Sequence, residues 1–417
     1  MLCHLLFRLG LPVAIPLLLF FNPPVGAAQQ PLDRINKARQ CNNLPLLSHE
    51  AHLQGAASGH IRYMSQNSVV GHDQTPGRPG FTGANCLQRV VSAGYPARFC
   101  HENVSFGQLS WRESVDDLFS GIYHRFGFLA FDIDEAGMAT LPMTSPSHSG
   151  EGGSYYTYVM GSSPLRQMCS GKSSRYGLYG MCRDPKFTVS RAEYENASRL
   201  LASQGPDTVI YPWAGQMDVF PAFVNDEYPN PLPGIEMTGQ PVSLQLNPSR
   251  FRADQIVVEE FRLQDRHGRT VACHPRKDKS TDKENRQFTE YEYAWFPQQP
   301  LRWGEGYRAS VDFRIGQHKH NRTWTFRTRA LPGQCHLELV KRGQRFTVQP
   351  NTTCTVVLSQ QLSVSPIASL SMEYRHGTSG HIERGTFNTF TCSTASSATV
   401  TVVLRGGQHY LLHLDVR

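Results

Sequence analysis

Two kinds of hydrophobic pattern divide the chain. Between Pro31 and Met64 apolar positions recur at helical spacing: Leu32 and Ile35 with Arg39 in a first segment, then Leu53, Ala56, Ala57, His60 and Met64 in a second. Ser48, followed by His49 and Glu50, is the expected N-cap of the second helix. His60 lies on the apolar stripe and reads as a hydrogen-bonded core histidine; His49 and His52 read as surface residues. The stretch VVGHDQTPGRPGFTGA, residues 69–84, is a loop by its Gly and Pro content. Residues 113–137 begin as a helix with Val115, Leu118, Phe119 and Ile122 on one side, and are expected to turn extended at Phe126 to Phe128. SYYTYVMGSS, residues 154–163, is a strand by its aromatic and β-branched content. Helices and a few strands, segregated rather than alternating, predict an α+β layered domain that ends near Arg183.

The period then disappears. YPWAGQMDVFPAFVNDEYPNPLPG, residues 211–234, is Pro-dense and is expected to lie against a surface through Trp213 and Phe220, within a linker over 184–234. Beyond it the short alternating runs PVSLQLNP, DQIVVEEFRLQD, TEYEYAWFP, YRASVDFRIG and NRTWTFRTRA, punctuated by turns, predict an all-β, Ig-like sandwich over 235–330. RFTVQP, CTVVLS, SMEYRHG, ATVTVVLRGG and YLLHLDVR predict a second, small β unit over 331–417.

The first residues alter where such a chain works. Arg8, the apolar run Leu9 to Phe21 and the small residues Val25 to Ala28 have the layout of a cleaved signal peptide over 1–28. The run is too short and too interrupted by Pro12 and Pro16 to span a bilayer of roughly 30 Å. The mature chain is therefore expected to be soluble and secreted or periplasmic, without a transmembrane helix. A net charge of +7 is spread along the sequence rather than gathered into a block, which gives nucleic-acid binding no support.

Cysteine usage agrees with export. Of ten cysteines one, Cys3, lies in the leader, so an odd number remains. Cys86 with Cys100, and Cys169 with Cys182, would each close a loop of about 15 residues, for which chain entropy gives about 3 kcal/mol. Cys335 has two candidate partners, Cys354 and Cys392, while Cys41 and Cys273 are the expected free thiols. None has the paired CxxC spacing of a structural zinc site.

INKAR, LPLLSHEAHLQGAASGHIRYM, VGHD, SAGYPARFCHENVSFG and IYHRFGF come in an order and at distances that resemble the CAP superfamily over roughly residues 30–165. This is the family of cysteine-rich secretory, antigen 5 and pathogenesis-related proteins, and the likeness is to its bacterial secreted, SCP-like branch. The specific elements are Gly94-Tyr95, Glu102-Asn103 and His124-Arg125. The resemblance implies an α-β-α sandwich over 30–183 with a cleft lined by histidines and glutamates. It places His72 as the first cleft histidine, Glu102 as the glutamate, His124 as the second histidine, and Asn103 as a brace that bonds backbone. His101 stands where the family usually has glycine and is expected to face solvent. Ser120 holds the place of a further family glutamate, with Asp132, Asp134 and Glu135 as candidate substitutes.

Two neutral imidazoles near a carboxylate can hold zinc with positions left open for water, and the same groups without metal form a polar cluster. The resemblance therefore points first to a binding module that recognises a lipid, glycan or protein ligand outside the cytoplasm. The alternative is a metal-assisted hydrolase, with Glu102 as general base and His72 or His124 polarising water or a metal. HExxH and GxSxG are absent, and Ser105 and Ser120 are the nearest hydroxyls in sequence. In a third reading the β domains act as an interaction surface through the aromatics of YAWFP, 293–297, and RWGEGY, 302–307, which an inward-facing core accounts for more simply. Asn103, Asn196, Asn321 and Asn351 each begin an Asn-x-Ser/Thr triplet, which has meaning only in a glycosylating host.

Overall fold

The computed structural model describes residues 25–143, 153–359, 367–374, 380–385, 388–404 and 407–417, with side chains from residue 30 onward. The expected signal peptide lies outside the described residues, apart from the backbone of 25–28, which opens the first helix.

The N-terminal unit has helices on both faces of a four-stranded sheet of order β1-β3-β4-β2, formed by β1 (Ser48–His49), β2 (His101–Gln108), β3 (Glu135–Pro142) and β4 (Ser154–Gly161). Alternation along the strands builds both cores. Tyr156, Tyr158 and Met160 face one layer, with α1 (Val25–Cys41), α4 (Trp111–Ser120) and Phe128 of α5 (Ile122–Phe128). Tyr155 and Val159 face the other, with α2 (Ala51–Asn67), α3 (Cys86–Ser92) and α6 (Ser163–Ser170). This is the expected α-β-α sandwich. Leu53, Ala56, Ala57, His60 and Met64 are all buried along α2, as their spacing predicts. A fully buried Leu or Ile side chain contributes about 1.5–3 kcal/mol. Gly137 allows α2 to approach β3, since a Cβ there would lie 1.9 Å from the Gln54 nitrogen.

Two local expectations change. The cap of α2 is Glu50, whose carboxylate accepts from the Leu53 amide at 2.8 Å, because Ser48 and His49 are drawn into a parallel pairing with Glu135 and Ala136. Phe126 to Phe128 are helical rather than extended: Gly121 (φ −64°, ψ 134°) breaks the helix and α5 restarts at Ile122. Arg39, fully buried in α1, donates to the carbonyls of Pro45 (2.7 Å), Phe128 (2.9 Å), Ala130 (3.0 Å) and Ile133 (2.7 Å). Burial pushes its pKa down to about 9.

The stretch 184–234, expected as a linker, holds regular structure. Helix α7 (Arg191–Gln204) opens with a capping box between Ser190 and Glu193, and β5 (Thr208–Tyr211) and β6 (Ala222–Val224) follow. Short strands among prolines show no period of their own; they form here because β5 pairs with β8 (Val242–Leu246) and β6 with β7 (Met237–Gly239). Trp213 packs against the core of the N-terminal unit. A sheet of order β10-β8-β5 faces one of order β12-β11-β9 across a core that includes Leu244, Trp295, Leu263, Val311 and Trp324, with β9 (Ile256–Asp265), β10 (Glu292–Trp295), β11 (Gly306–Ile315) and β12 (His318–Arg327). Tyr293, Trp295 and Tyr307 are buried in it, so these aromatics are core.

The C-terminal unit is a second sandwich, of β13 (Cys335–Leu339), β14 (Gln344–Val348), β15 (Cys354–Leu358), β16 (Ile367–Tyr374), β17 (Gly380–Arg384), β18 (Thr389–Thr394), β19 (Ala398–Leu404) and β20 (His409–Val416). Its sheets, β13-β15-β18-β17 and β14-β20-β19-β16, enclose Val356, Phe390, Val400 and Leu412.

Disulfides join Cys86 to Cys100, Cys169 to Cys182, and Cys335 to Cys354. Among the described residues Cys41, Cys273 and Cys392 are free thiols. No helix among those residues is long and apolar enough to cross a membrane.

Candidate functional site

A buried polar network fixes the loop that carries His72. The ring of His60, fully buried in α2, donates from Nε2 to the Gly71 carbonyl at 2.9 Å and accepts at Nδ1 from the Gln74 amide at 3.0 Å. Burial lowers the pKa of His60, which keeps it neutral and able to bond both ways. Gln74 Oε1 accepts from the Thr82 amide (2.7 Å), and the Tyr63 hydroxyl accepts from the Thr75 amide (2.8 Å). The loop between them is thereby tied to α2 at both sides of His72.

Glu102 is the second residue of β2, and its side chain is 3% exposed. Arg89 of α3, 1% exposed, donates from Nη2 to both carboxylate oxygens at 2.7 Å. His72 places Nδ1 3.0 Å from Glu102 Oε1 while its side chain stays 45% exposed. Burial works to raise the Glu102 carboxyl, but the hydrogen bond from His72 and the charge of Arg89 outweigh it and hold its pKa below the ordinary value.

The second histidine faces the first. The rings of His72 and His124 are 6.3 Å apart at their centroids with 27° between their planes. His124 Nδ1 is 2.8 Å from Glu227 Oε1, and Asn103 Nδ2 donates to the His124 carbonyl at 2.8 Å, the backbone brace expected of Asn103. Glu227 is 2% exposed and also accepts from the backbone amides of Ile122 (2.7 Å), Tyr123 (2.8 Å) and His124 (3.1 Å). An ionised carboxylate only accepts, so each imidazole carries its proton on Nδ1. Nε2 of each is left without a protein partner among the described residues.

The other sequence candidates lie elsewhere. Ser120 is buried at the C-terminal end of α4, its hydroxyl 3.1 Å from the Asp116 carbonyl and 3.0 Å from the Gln240 side-chain amide, so it is bonded away from His72 and His124. Ser105 is bonded to Ser114 at 2.5 Å, also in the core. None of the three acidic substitutes is paired with His72 or His124: Asp132 is 3.3 Å from His101, Asp134 accepts from the Ser163 amide at 2.7 Å, and Glu135 is paired with Arg166 at 2.6 Å. His101 is half-buried against Phe99 and Asp132 rather than free in solvent; burial works against its cation, yet Asp132 raises its pKa above the ordinary value. The second carboxylate is Glu227, which sequence reasoning missed. It is 103 residues from His124 in an aperiodic, Pro-dense stretch, and no motif marks it.

Residues 32–162 match the family model described as the cysteine-rich secretory protein family, CAP. Among solved structures the chain is similar to an outer surface protein from Borrelia burgdorferi, at 16% identity over 32% of this chain and 90% of that one, with a TM-score of 0.27. It is similar also to an extracellular, SCP-domain-containing protein from Bacillus anthracis, at 21% identity over 33% of this chain and 40% of that one, TM-score 0.27. A tandem of titin Ig domains matches at 9% identity over 42% of this chain and 87% of that one, TM-score 0.18. No curated protein matches the chain.

Proposed function

We propose that this protein, whose residues 32–162 are a CAP domain, is an exported binding module that recognises an extracellular or envelope ligand through the His72–His124 cleft. Its disulfides support export to an oxidising compartment. The observation that carries the reading is the pair of facing imidazoles, each backed through Nδ1 by a buried carboxylate. That arrangement offers two Nε2 lone pairs to an incoming group. It suits a ligand rich in hydrogen-bond donors, such as a glycan, or a divalent cation that prefers imidazole.

The donor set fits zinc as a lightly held ion. Each imidazole has the carboxylate partner that metal-binding histidines usually have, and among the described residues no cluster of three His, Cys, Asp or Glu side chains surrounds them. His72 and His124 would hold the ion, which would supply a Lewis acid for a ligand oxygen.

Hydrolysis is the weaker reading. Glu102 is gripped on both oxygens by Arg89 and its pKa is held low, which makes it a poor general base. Neither Ser105 nor Ser120 faces the histidines. Isothermal titration of residues 29–417 with Zn²⁺, together with a glycan and lipid array, tests the cleft against the His72→Ala/His124→Ala double variant. Zinc or array binding that the double variant loses is the expected result; micromolar affinity corresponds to about 8 kcal/mol. Equal binding by both proteins would move recognition away from the cleft.

A further inference from the structure

We infer that Glu227 is the positioning residue for His124, so that the cleft is a composite of the CAP domain and the segment downstream of it. The inference rests on the two-imidazole reading of the cleft. Among the described residues of 32–162, Glu102 is paired with His72, and no carboxylate of that span is paired with His124. The partner of His124 arrives from outside that span, and several contacts hold it there. Asn225 pins the loop bearing Glu227 by donating from Nδ2 to Asn230 Oδ1 (2.9 Å) and to the carbonyls of Leu232 (2.7 Å) and Ile235 (2.6 Å). Ile122 and Phe126 of α5 share a core with Phe223, Leu232, Phe288 and Phe296. The Tyr123 hydroxyl donates to Asp282 Oδ1 at 2.7 Å and accepts from Asn285 Nδ2 at 2.9 Å. The helix that carries His124 is thus seated on the downstream unit.

Capping the first amides of α5 needs only the carboxylate's bonds to backbone. The bond to His124 Nδ1 does something further. It places the ring proton on Nδ1 and turns the Nε2 lone pair into the acceptor that stands opposite His72. The two halves also differ in how each carboxylate is paired. Glu102 is neutralised by Arg89, whereas among the described residues no Arg or Lys pairs with Glu227. Arg125 acts on Glu227 through its charge without forming an ion pair, so the difference between the two halves is one of pairing geometry.

The test uses the full mature chain with ¹⁵N-labelled histidine. Two-bond ¹H–¹⁵N correlation spectra, recorded as a pH series, read the protonation and tautomer of each ring directly. Expected are Nδ1–H forms for His72 and His124 in the native protein. Glu227→Ala shifts His124, and not His72, toward Nε2–H. Glu227→Gln keeps an oxygen at the Nδ1 position and retains the native tautomer. Titration with Zn²⁺ alone is expected to weaken about 10- to 100-fold in Glu227→Ala and to change little in Glu227→Gln. A native His124 in the Nε2–H form overturns the inference, whichever variant folds. So does an unchanged His124 tautomer in Glu227→Ala. If the native protein binds no zinc while the tautomers behave as stated, the metal reading of the cleft fails and the positioning role stands. If zinc binds and the tautomer ignores Glu227, the reverse holds.

Discussion

Gly121→Ala is the most direct probe of how tightly Glu227 and His124 are packed together. The backbone at Gly121 (φ −64°, ψ 134°) is open to any residue, so the substitution carries no intrinsic strain. What opposes it is Glu227: a Cβ there would lie 2.9 Å from Glu227 Oε1, 3.1 Å from its Cδ and 3.2 Å from His124 Nδ1. To restore ordinary contact the carboxylate must withdraw by about 0.5 Å. Oε1 is held by the Tyr123 amide (2.8 Å), the His124 amide (3.1 Å) and His124 Nδ1 (2.8 Å), and all three bonds would stretch together. At about 1 kcal/mol net for each bond, the local cost is about 1–3 kcal/mol. Hydrogen exchange of the Ile122, Tyr123 and His124 amides reads that cost as opening about 5- to 150-fold more frequent than in the native protein. In a Glu227→Ala background the two closest contacts are gone, only the 3.2 Å approach to His124 Nδ1 is left, and the penalty should largely vanish, or reverse by about 0.4–1 kcal/mol through the stiffer unfolded chain. A double variant whose exchange equals the sum of the two single effects would refute the packing argument.

Three further outcomes follow from other parts of the molecule. The folded pKa of Glu102 lies below its ordinary 4.5, so its ionisation adds stability above that value and the gain is lost as pH falls through the folded pKa. The urea midpoint should therefore drop on acidification below about 4.5, and Arg89→Met, which leaves the carboxylate buried without its cation, should begin that drop at higher pH; superimposable acid limbs would refute this. Arg39→Met strips a donor from three buried carbonyls and one partly buried carbonyl and should cost at least about 3 kcal/mol, with Arg39→Lys recovering only part because one ammonium cannot span them; a thermal midpoint within error of native would count against it. Cys335→Ser should yield a Cys354–Cys392 bridge in non-reducing peptide maps. Cys354 stands opposite Cys335 on one side and Cys392 on the other, and directly opposed residues of an antiparallel pair have Cα atoms about 4.5–5.5 Å apart, within bridging range. In the native protein burial raises the Cys392 thiol to about 11 and keeps it a slow competitor; two alkylatable thiols in the variant would sink the idea.

What could be read in advance depended on how local the cause is. The stripe on α2 and the alternation in β11 follow from one face being buried, and the period reports that directly. The end of α5 was hidden for the opposite reason. Ile122 and Phe126 face the downstream core while Phe128 faces the sheet, and a short segment apolar on two sides has no helical signature. Ser48 is a better capping residue than Glu50 by composition, but its backbone is claimed by β3. The strands β5 and β6 were lost among prolines because their hydrogen bonds go to β8 and β7, partners that a window of sequence does not contain.

Glu227 is the extreme case, and it has a local trace. His72, Glu102, Asn103 and His124 could be placed because the CAP resemblance carries them within one domain. Extending that resemblance to a missing carboxylate led to Ser120 and to nearby acids, all of which bond elsewhere. Gly121 alone records the partner that arrives from 227, and in sequence it reads only as a helix break. Its φ does not require glycine; the space does. A glycine with ordinary backbone angles beside a candidate-site histidine is therefore evidence that something packs there. Here that something is a carboxylate whose four accepted hydrogen bonds tie His124 to the downstream unit.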